Sequence, residues 1–377
     1  MLVVILLFVA LGLFGLKIYG IGKWNEEFLS LENTKALQAL CAFGVILHHL
    51  SQRLKTPDVL SPFVDAGVLF VGVFLFCSGY GLIKSYQSKQ NYLQGFIRRR
   101  LPSVLVPLYA TIIIYLVYNL IEGQRFSPVE IVLFLTGFIL INPQAWFAVA
   151  IVIFYIAFYI IFKYCKKERT AFWGMAVFLL VYTIICACLG HGGFWFQGEW
   201  WYNTCFLFLF GMLAGRFEGN IISFAKKRYA ILTPVLIVLF FPVFILNLYM
   251  LKHVSYYANT PFQSDIPERF LCLSVQLPAI VLFVAAVLLI TMKVRFNNKI
   301  LQLLGQMTLE LYLIQYLFII LLRSRFIQIN NDVMYVLLVL ILSTLTAFGL
   351  HILDTKIISL IGGKHRYLKR VESSIKQ

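Results

Sequence analysis

Residues 95–121 read GFIRRRLPSVLVPLYATIIIYLVYNLI, and this stretch decides the fold. Three consecutive arginines, Arg98 to Arg100, precede Pro102, which opens a run of twenty residues without a charged side chain. A helix that crosses the hydrocarbon core of a bilayer needs about 20 apolar residues, and basic residues are retained on its cytoplasmic side. The stretch therefore predicts a transmembrane helix that enters the membrane from the cytoplasm.

The composition extends this interpretation to most of the 377 residues. Hydrophobic residues make up 61% of the chain and charged residues 13%, whereas soluble domains contain about 45–50% and about 25%. The net charge of +16 is typical of loops that face anionic lipid, so we expect membrane lipid and not nucleic acid as the partner of these cations. The seven cysteines lie mostly in apolar runs, which favours core residues over disulfides or a metal site.

Eleven apolar segments are long enough to cross the membrane, beginning near residues 1, 34, 66, 102, 145, 169, 200, 229, 270, 300 and 332. We therefore predict an all-α fold, a polytopic transmembrane helix bundle of about eleven spans. Gly211 and Gly215 form a GxxxG pair, which predicts close helix packing. We divide the chain into an additional N-terminal helix with its linker (1–29), a main membrane domain (30–363) and a basic cytoplasmic tail (364–377).

A twelfth apolar segment, at 129–141, is short and ends at Asn142-Pro143. The linker 84–100 carries five basic residues and no acidic one, so we place it in the cytoplasm. If 129–141 crossed the membrane, every later basic cluster would face outward: 166–167, 226–228, 293–299 and the tail. We therefore predict that this segment is re-entrant or peripheral, with the N-terminus of the chain outside the cell membrane and the C-terminus inside.

The first helix of the main domain contains two adjacent histidines, in KALQALCAFGVILHHLSQRL at 35–54. At about 100° per residue, Lys35 and Gln38 fall within about 60° of His49, whereas His48 points about 100° away. Ionisable side chains inside membrane helices usually mark functional sites, and a neutral imidazole accepts a proton near physiological pH. His49 is a candidate general base facing an internal cavity; the alternative is a histidine packed against a neighbouring helix.

Six fragments share the order of the motifs of one membrane family: QALCAFGVILHH (38–49), GVFLFCSGYGLIKSY (72–86), GFIRRRLPSVLVPLY (95–109), PQAWFAVAIVIFYI (143–156), WYNTCFLFLFGMLAG (201–215) and LGQMTLELYLIQYLF (304–318). From about residue 30 onward, the chain resembles the acyltransferase 3 family of integral membrane proteins, which includes bacterial carbohydrate O-acetyltransferases. The basic residue that this family carries eleven positions before its histidine is Gln38 here, and Lys35 lies one turn earlier on the same face.

The resemblance implies an O-acyltransferase whose donor is acetyl-CoA or another acyl-CoA on the cytoplasmic side, with no metal. For this chemistry we expect His49 to take the proton of the acceptor hydroxyl while Lys35 or Gln38 orients the donor or stabilises its oxyanion. Direct transfer and a covalent acyl-histidine both remain open.

Candidate donor-binding residues follow the same resemblance. Arg98, Arg99 and Arg100 offer forked hydrogen-bond donors that suit the phosphates of coenzyme A, and their alternative role is to anchor the linker against anionic lipid. Ser78 and Tyr80, in the Ser-Gly-aromatic motif, are further candidates for contacts with the donor.

The acceptor implied by the resemblance is a hydroxyl of a carbohydrate or a lipid-linked glycan, with a separate extracytoplasmic protein as a possible partner. Trp146 is a candidate for contacts with a sugar, although interfacial tryptophans often only anchor a helix. We expect Glu310 to pair with a basic residue of a neighbouring helix, with a role at the site as the alternative. His191 and Glu199 lie in a loop predicted to be outside, and either bind the acceptor or form a plain interfacial loop.

Two other functions compete with acyl transfer. A transporter or flippase for a lipid-linked sugar would also need polar groups in the membrane, but such proteins often show two related halves, and the sequence shows no convincing repeat. A catalytically inactive relative that acts as a partner protein is suggested by the departures from the family motifs at Gln38, Ser103 and Gln315.

Overall fold

The computed structural model describes residues 1–54, 58–189, 198–254, 266–296 and 298–362. Within these ranges the chain forms fourteen α-helices and one two-stranded sheet. The helices are α1 Leu2–Leu13, α2 Leu31–Ser51, α3 Gly67–Ser88, α4 Phe96–Arg100, α5 Pro102–Ile121, α6 Pro128–Thr136, α7 Trp146–Tyr164, α8 Glu168–Cys188, α9 Phe206–Arg216, α10 Glu218–His253, α11 Ile266–Thr291, α12 Lys299–Gln306, α13 Thr308–Leu321 and α14 Asp332–Gly362; the strands are β1 Leu16–Ile18 and β2 Val294–Phe296.

Seven of the described helices are long and apolar enough to cross a membrane, namely α3, α5, α7, α8, α10, α11 and α14. The pair α12 and α13, broken at Met307, satisfies the same test together. The other three predicted spans correspond to α1 and α9, which contain 12 and 11 residues, and to α2, whose polar side chains lower its mean hydropathy. The all-α membrane bundle is confirmed, whereas the count of eleven spans stays a prediction.

The short apolar segment after α5 forms α6, which contains nine residues. Such a helix extends over about 14 Å, far less than the roughly 30 Å of the hydrocarbon core. Its start is fixed by a capping box between Ser127 and Glu130, and its end by Gly137, whose φ of 75° suits glycine. The segment is therefore too short to cross, as predicted.

The chain divides into two units, each built from two stretches of sequence. Unit 1 comprises Met1–Gln90 and Lys167–Thr308, and unit 2 comprises Asn91–Lys166 and Leu309–Gln377. In unit 1, α2 packs against α3 and α12, and α10 packs along α11. The strands β1 and β2 pair in antiparallel register, with Lys17 opposite Arg295, so the segment after α1 is tied to the segment after α11. The proposed domain boundary at residue 29 stays a prediction.

Two glycines allow α3 and α9 of unit 1 to approach closely. A Cβ atom added at Gly79 would overlap the carbonyl oxygen of Phe208, and one added at Gly211 would overlap the carbonyl oxygen of Phe76. Gly215, one turn further along α9, faces side chains of α3 in the same way. The packing role predicted for the GxxxG pair is confirmed.

In unit 2, α14 packs along α5, and buried hydrogen bonds attach α13 to its neighbours. The side-chain amide of Asn142 donates to the carbonyl oxygen of Leu313 at 2.8 Å, and the hydroxyl of Tyr335 donates to the carbonyl oxygen of Ile319 at 2.8 Å. Both donors are buried, so losing either bond would destabilise the packing. These bonds fix α13 relative to α14 and to the turn that precedes α7.

Candidate active site

The adjacent histidines of α2 have different environments. The Nδ1 atom of His48 lies 2.9 Å from the carbonyl oxygen of Phe63, and its Nε2 atom lies 3.4 Å from the side-chain amide of Gln52. Gly67, the first residue of α3, lies so close to the His48 ring that a Cβ atom there would overlap the imidazole. His48 is therefore held by its surroundings and joins the end of α2 to the start of α3.

His49 is half-buried, and its ring is positioned by His48. The two ring centroids lie 4.9 Å apart with an interplanar angle of 52°. Among the residues that the structure describes, no side chain or carbonyl makes a hydrogen bond with the imidazole of His49. Its neighbours on α2 from Val45 to Leu47, and Leu50 after it, are buried and fix the helix there. A half-buried imidazole whose nitrogens are not used for packing can accept a proton from a bound molecule.

Lys35 and Gln38 are half-buried on the same helix, but far from His49. With a rise of about 1.5 Å per residue, Gln38 lies about 16 Å and Lys35 about 21 Å from His49 along α2. The helix is held against α12 at this end, because Gly305 contacts the backbone carbonyl of Lys35. A donor to an oxyanion must lie about 3 Å from it. The spacing therefore favours the first role predicted for Lys35 and Gln38, orienting the donor, over stabilising an oxyanion beside His49.

The three predicted phosphate-binding arginines form most of α4 in unit 2, and two of them donate hydrogen bonds to backbone carbonyl oxygens. Arg98 donates from Nε and Nη2 to the carbonyl oxygen of Ile361 at 3.1 and 3.0 Å. Arg99 donates from its two Nη atoms to the carbonyl oxygens of Gln94 and Tyr92, both at 2.6 Å. Arg98 and Arg99 thus stabilise the linker and attach it to the end of α14.

Arg100 differs from its neighbours because only its Nε atom donates to a described residue, the hydroxyl of Tyr92 at 3.1 Å. The side chain is half-buried, so its two Nη atoms extend from a fixed position. A guanidinium group that keeps a free edge can bind phosphate in a forked geometry. Of the three arginines, Arg100 is the best suited to the predicted contact with coenzyme A.

Ser78 and Tyr80, the other predicted donor-binding residues, lie on α3 in unit 1. The Tyr80 hydroxyl donates to Oε1 of Glu218 at 2.7 Å, and Lys84 donates to Oε2 of the same carboxylate at 2.5 Å. These contacts attach α3 to the first turn of α10. The Tyr80 hydroxyl is therefore engaged in a structural contact, whereas Ser78, two residues earlier in α3, is half-buried.

Trp146 and Glu199, two of the residues predicted to bind the acceptor, lie in different elements of the structure. Trp146 is buried at the start of α7, with its ring centroid 6.0 Å from that of Phe147. Glu199 is also buried, at the start of the 3-10 turn Glu199–Trp201 in unit 1. His191 lies outside the described residues.

Glu310 forms the contact expected for it, because its Oε1 atom lies 2.8 Å from Nδ1 of His351 on α14. The side chains of Glu310 and His351 are 7% and 24% exposed. Asp354, one turn after His351, is buried and lies within electrostatic range of both residues. The pairing predicted for Glu310 with a basic residue of a neighbouring helix is confirmed, and its partner is His351.

A family model described as an acyltransferase domain matches residues 32–352, which is most of the chain. The chain belongs to this acyltransferase family. No curated protein and no solved structure matches it.

The acyltransferase match begins at the start of α2 and ends in α14, so it includes His49 and His351 and leaves α1 outside. The resemblance predicted from about residue 30 onward is confirmed. The protein is accordingly a multi-pass membrane acyltransferase. Its predicted site residues are divided between the units: His49, Lys35, Gln38, Ser78, Tyr80 and Glu199 belong to unit 1, and Arg98, Arg99, Arg100, Trp146 and Glu310 belong to unit 2.

The sequence interpretation missed His351 and Asp354. They are three residues apart in an otherwise apolar helix, so they share one face, and this spacing is a signal that a search for intramembrane ionisable residues can find. Their connection to Glu310 spans 41 positions of sequence and becomes visible only when α13 and α14 are packed together.

Proposed function

We propose that this membrane acyltransferase moves an acyl group, acetyl in the simplest case, from cytoplasmic acyl-CoA to a hydroxyl group of a carbohydrate or lipid-linked glycan. His49 acts as the general base. The observation that carries this proposal is the half-buried imidazole of His49, which is positioned by the His48 ring and makes no hydrogen bond with a described residue.

The chemistry requires a base because an alcohol is a weak nucleophile. As the acceptor oxygen attacks the thioester carbonyl, its proton passes to the free nitrogen of His49. The carbon–sulfur bond then breaks, and coenzyme A leaves as the thiolate, which takes up a proton to give the thiol. General base catalysis of this kind contributes typically about 10²–10⁴-fold. In the covalent variant, His49 attacks the thioester itself and the acceptor removes the acyl group in a second step.

The geometry of α2 suggests how a cytoplasmic donor meets an external acceptor. In the predicted topology, Lys35 lies at the cytoplasmic end of α2 and His49 lies near its outer end, about 21 Å away. The long pantetheine arm of coenzyme A is suited to such a path, with its polar groups near Lys35 and Gln38 and its thioester at His49. Within unit 2, Arg100 is a separate candidate for a contact with the phosphates of the donor.

The acceptor would approach from the opposite side of the membrane. The predicted topology places Glu199 and His191 outside, on the same side as the end of α2 that carries His49. A carboxylate and an imidazole are suitable hydrogen-bond partners for sugar hydroxyls. If the acceptor is a polymer outside the cell membrane, a separate extracytoplasmic protein would present it to the enzyme.

The test is acyl transfer by the purified full-length protein in liposomes that contain radiolabelled acetyl-CoA and candidate glycan acceptors. We expect label to appear in the glycan, and we expect the His49→Ala variant to lose transfer while it accumulates normally in the membrane. His253→Ala at the exposed end of α10 is the matched control and should keep the wild-type rate. Movement of a glycan across the membrane without label transfer would support a transporter, and neither activity would support an inactive partner protein.

A further inference from the structure

His48 takes part in a hydrogen-bond network that the proposed role of His49 does not explain. Its Nδ1 atom lies 2.9 Å from the carbonyl oxygen of Phe63, and its Nε2 atom lies 3.4 Å from the amide nitrogen of Gln52. The same amide nitrogen donates to the carbonyl oxygen of Val64 at 3.2 Å. The network joins the end of α2 to the segment before α3, and each of its contacts has a direction.

The two carbonyl oxygens decide where the hydrogen atoms of this network lie. A carbonyl oxygen can only accept a hydrogen bond, so the amide group of Gln52 must turn its nitrogen, and not its oxygen, toward Val64. The second hydrogen of that nitrogen is then directed at Nε2 of His48, which has to accept it. The proton of the neutral imidazole is therefore on Nδ1, from which it is donated to Phe63.

The same contacts disfavour a charged His48. In the imidazolium form both ring nitrogens are donors, so Nε2–H would face an N–H group of Gln52 and find no acceptor there. The ring has no space to turn away, because Gly67 packs directly on it and even a Cβ atom at that position would overlap the imidazole. His48 is consequently held as a neutral ring in one tautomer.

The charge of His48 matters because its ring lies beside the proposed base. The ring centroids of His48 and His49 are 4.9 Å apart, and two positive charges at such a distance repel strongly in a partly buried site. Arg53, one turn after His49, already acts on His49 as a like charge, whereas Asp65 acts on His48 with the opposite charge. A further positive charge on His48 would make His49 a weaker acceptor of a proton.

The helices α3 and α12, which pack against α2, bring no charged side chain to this end of it. Lys84 is the only charged residue of α3, and it lies about 26 Å along the helix from Gly67. Lys299 is the only charged residue of α12, which packs at the start of α2, where Gly305 contacts Lys35. Among the described side chains, the charges that act on the two histidines are therefore those already named.

We propose that Gln52 and the carbonyl groups of Phe63 and Val64 hold His48 as the neutral Nδ1–H tautomer, so that His49 alone takes the proton of the acceptor hydroxyl. Gln52 and His48 are positioning residues in this scheme, because they act through His49 and need no contact with donor or acceptor. The proton passes from the attacking hydroxyl to His49, and His48 neither gains nor loses one. The assignment rests on the proposed function, since it concerns the base of that reaction.

Gln52→Glu is the decisive variant, because a carboxylate at this exposed position accepts a hydrogen bond from Nε2–H and so favours the charged form of His48. In the wild type, in liposomes, we expect a single ionisation to lower the rate of acyl transfer as the pH falls. In Q52E we expect two ionisations, with the rate about 10-fold or more below that of the wild type once His48 is charged. Gln90→Glu, the same substitution beyond the far end of α3, is the control and should keep the wild-type profile.

The tautomer is measured directly, without turnover, from the nitrogen NMR signals of histidine-labelled full-length protein in detergent micelles. We expect the wild-type His48 to show Nδ1–H and an unprotonated Nε2 throughout the pH range in which His49 titrates. In Q52E we expect Nε2 of His48 to take up a proton within that range. His48→Asn, whose amide nitrogen can still donate to Phe63, identifies the His48 signals and should keep most of the transfer rate.

A wild-type His48 that carries its proton on Nε2, or that is charged near neutral pH, would overturn the proposal, and so would a Q52E profile with a single ionisation at the wild-type rate. A loss of rate in H48N as large as in H49A would make His48 the base, which also contradicts the assignment. If Q52E does not accumulate in the membrane, Gln52→Leu replaces it with the same expected profile, because it removes the donor to Nε2 and leaves that nitrogen open to a proton from water. If the wild-type protein transfers nothing from acyl-CoA, the proposed function itself fails, whereas NMR still decides the tautomer of His48.

Discussion

Replacing Gly79 by alanine tests how closely α3 and α9 pack. The added Cβ atom would overlap the backbone carbonyl oxygen of Phe208, which cannot move like the end of a flexible side chain. Inserting one carbon into such a contact typically costs about 1–3 kcal/mol. Gly81, two residues later in α3, is the matched control, because a Cβ atom there meets nothing within 4 Å.

The comparison of the two variants removes the contribution of helix propensity. Alanine favours a helix over glycine by about 1 kcal/mol, and both positions lie inside α3. The difference between Gly79→Ala and Gly81→Ala therefore reports the overlap alone, and we expect G79A to be less stable than G81A by about 1–3 kcal/mol. Thermal unfolding of the purified variants in detergent measures this difference. Equal stability of the two variants would refute the close approach of α3 and α9.

Three further predictions concern single residues. Tyr80→Phe should leave the KM for acyl-CoA unchanged and reduce thermal stability, because the hydroxyl binds Glu218 rather than the donor. Arg100→Lys should raise the KM for acyl-CoA by about 10-fold, since charge-assisted hydrogen bonds contribute about 1.5–3 kcal/mol. Arg98→Lys should instead lower the thermal stability of the protein more than its affinity for acyl-CoA, because Arg98 binds a backbone carbonyl. Asn142→Ala should destabilise the protein by about 1–2 kcal/mol in a thermal unfolding experiment, because its bonds to two backbone groups are lost.

The local features of the fold were accessible from the sequence, because they depend on the composition of single segments. The uncharged run after Arg100 predicts α5, and the basic linkers make it improbable that the short segment at 129–141 crosses the membrane. The break at Met307 was not predicted, because LGQMTLELY contains no proline and reads as one continuous apolar helix. Likewise, the shortness of α9 depends on the turns that precede it, which hydropathy does not reveal.

For the candidate site, the sequence located the helix face but not the tertiary contacts. The helical spacing placed His49 on the same face of α2 as Lys35 and Gln38, and His48 away from that face. The role of His48, however, depends on the carbonyl oxygen of Phe63, fifteen residues away. The contact between Glu310 and His351 was likewise predicted only as a pairing with an unnamed basic residue. Arginine side chains are long enough to reach many carbonyls, so the sequence could not separate Arg100 from Arg98 and Arg99.

The most direct test of the account is the rate of the chemical step in a single turnover, with wild-type protein and with His49→Ala, at saturating acyl-CoA and acceptor. Binding of acyl-CoA to each protein is measured separately. If His49 is the general base, the variant binds the donor as tightly as the wild type and its rate of acyl transfer falls by about 10²–10⁴-fold. A wild-type rate in the variant would contradict the central claim.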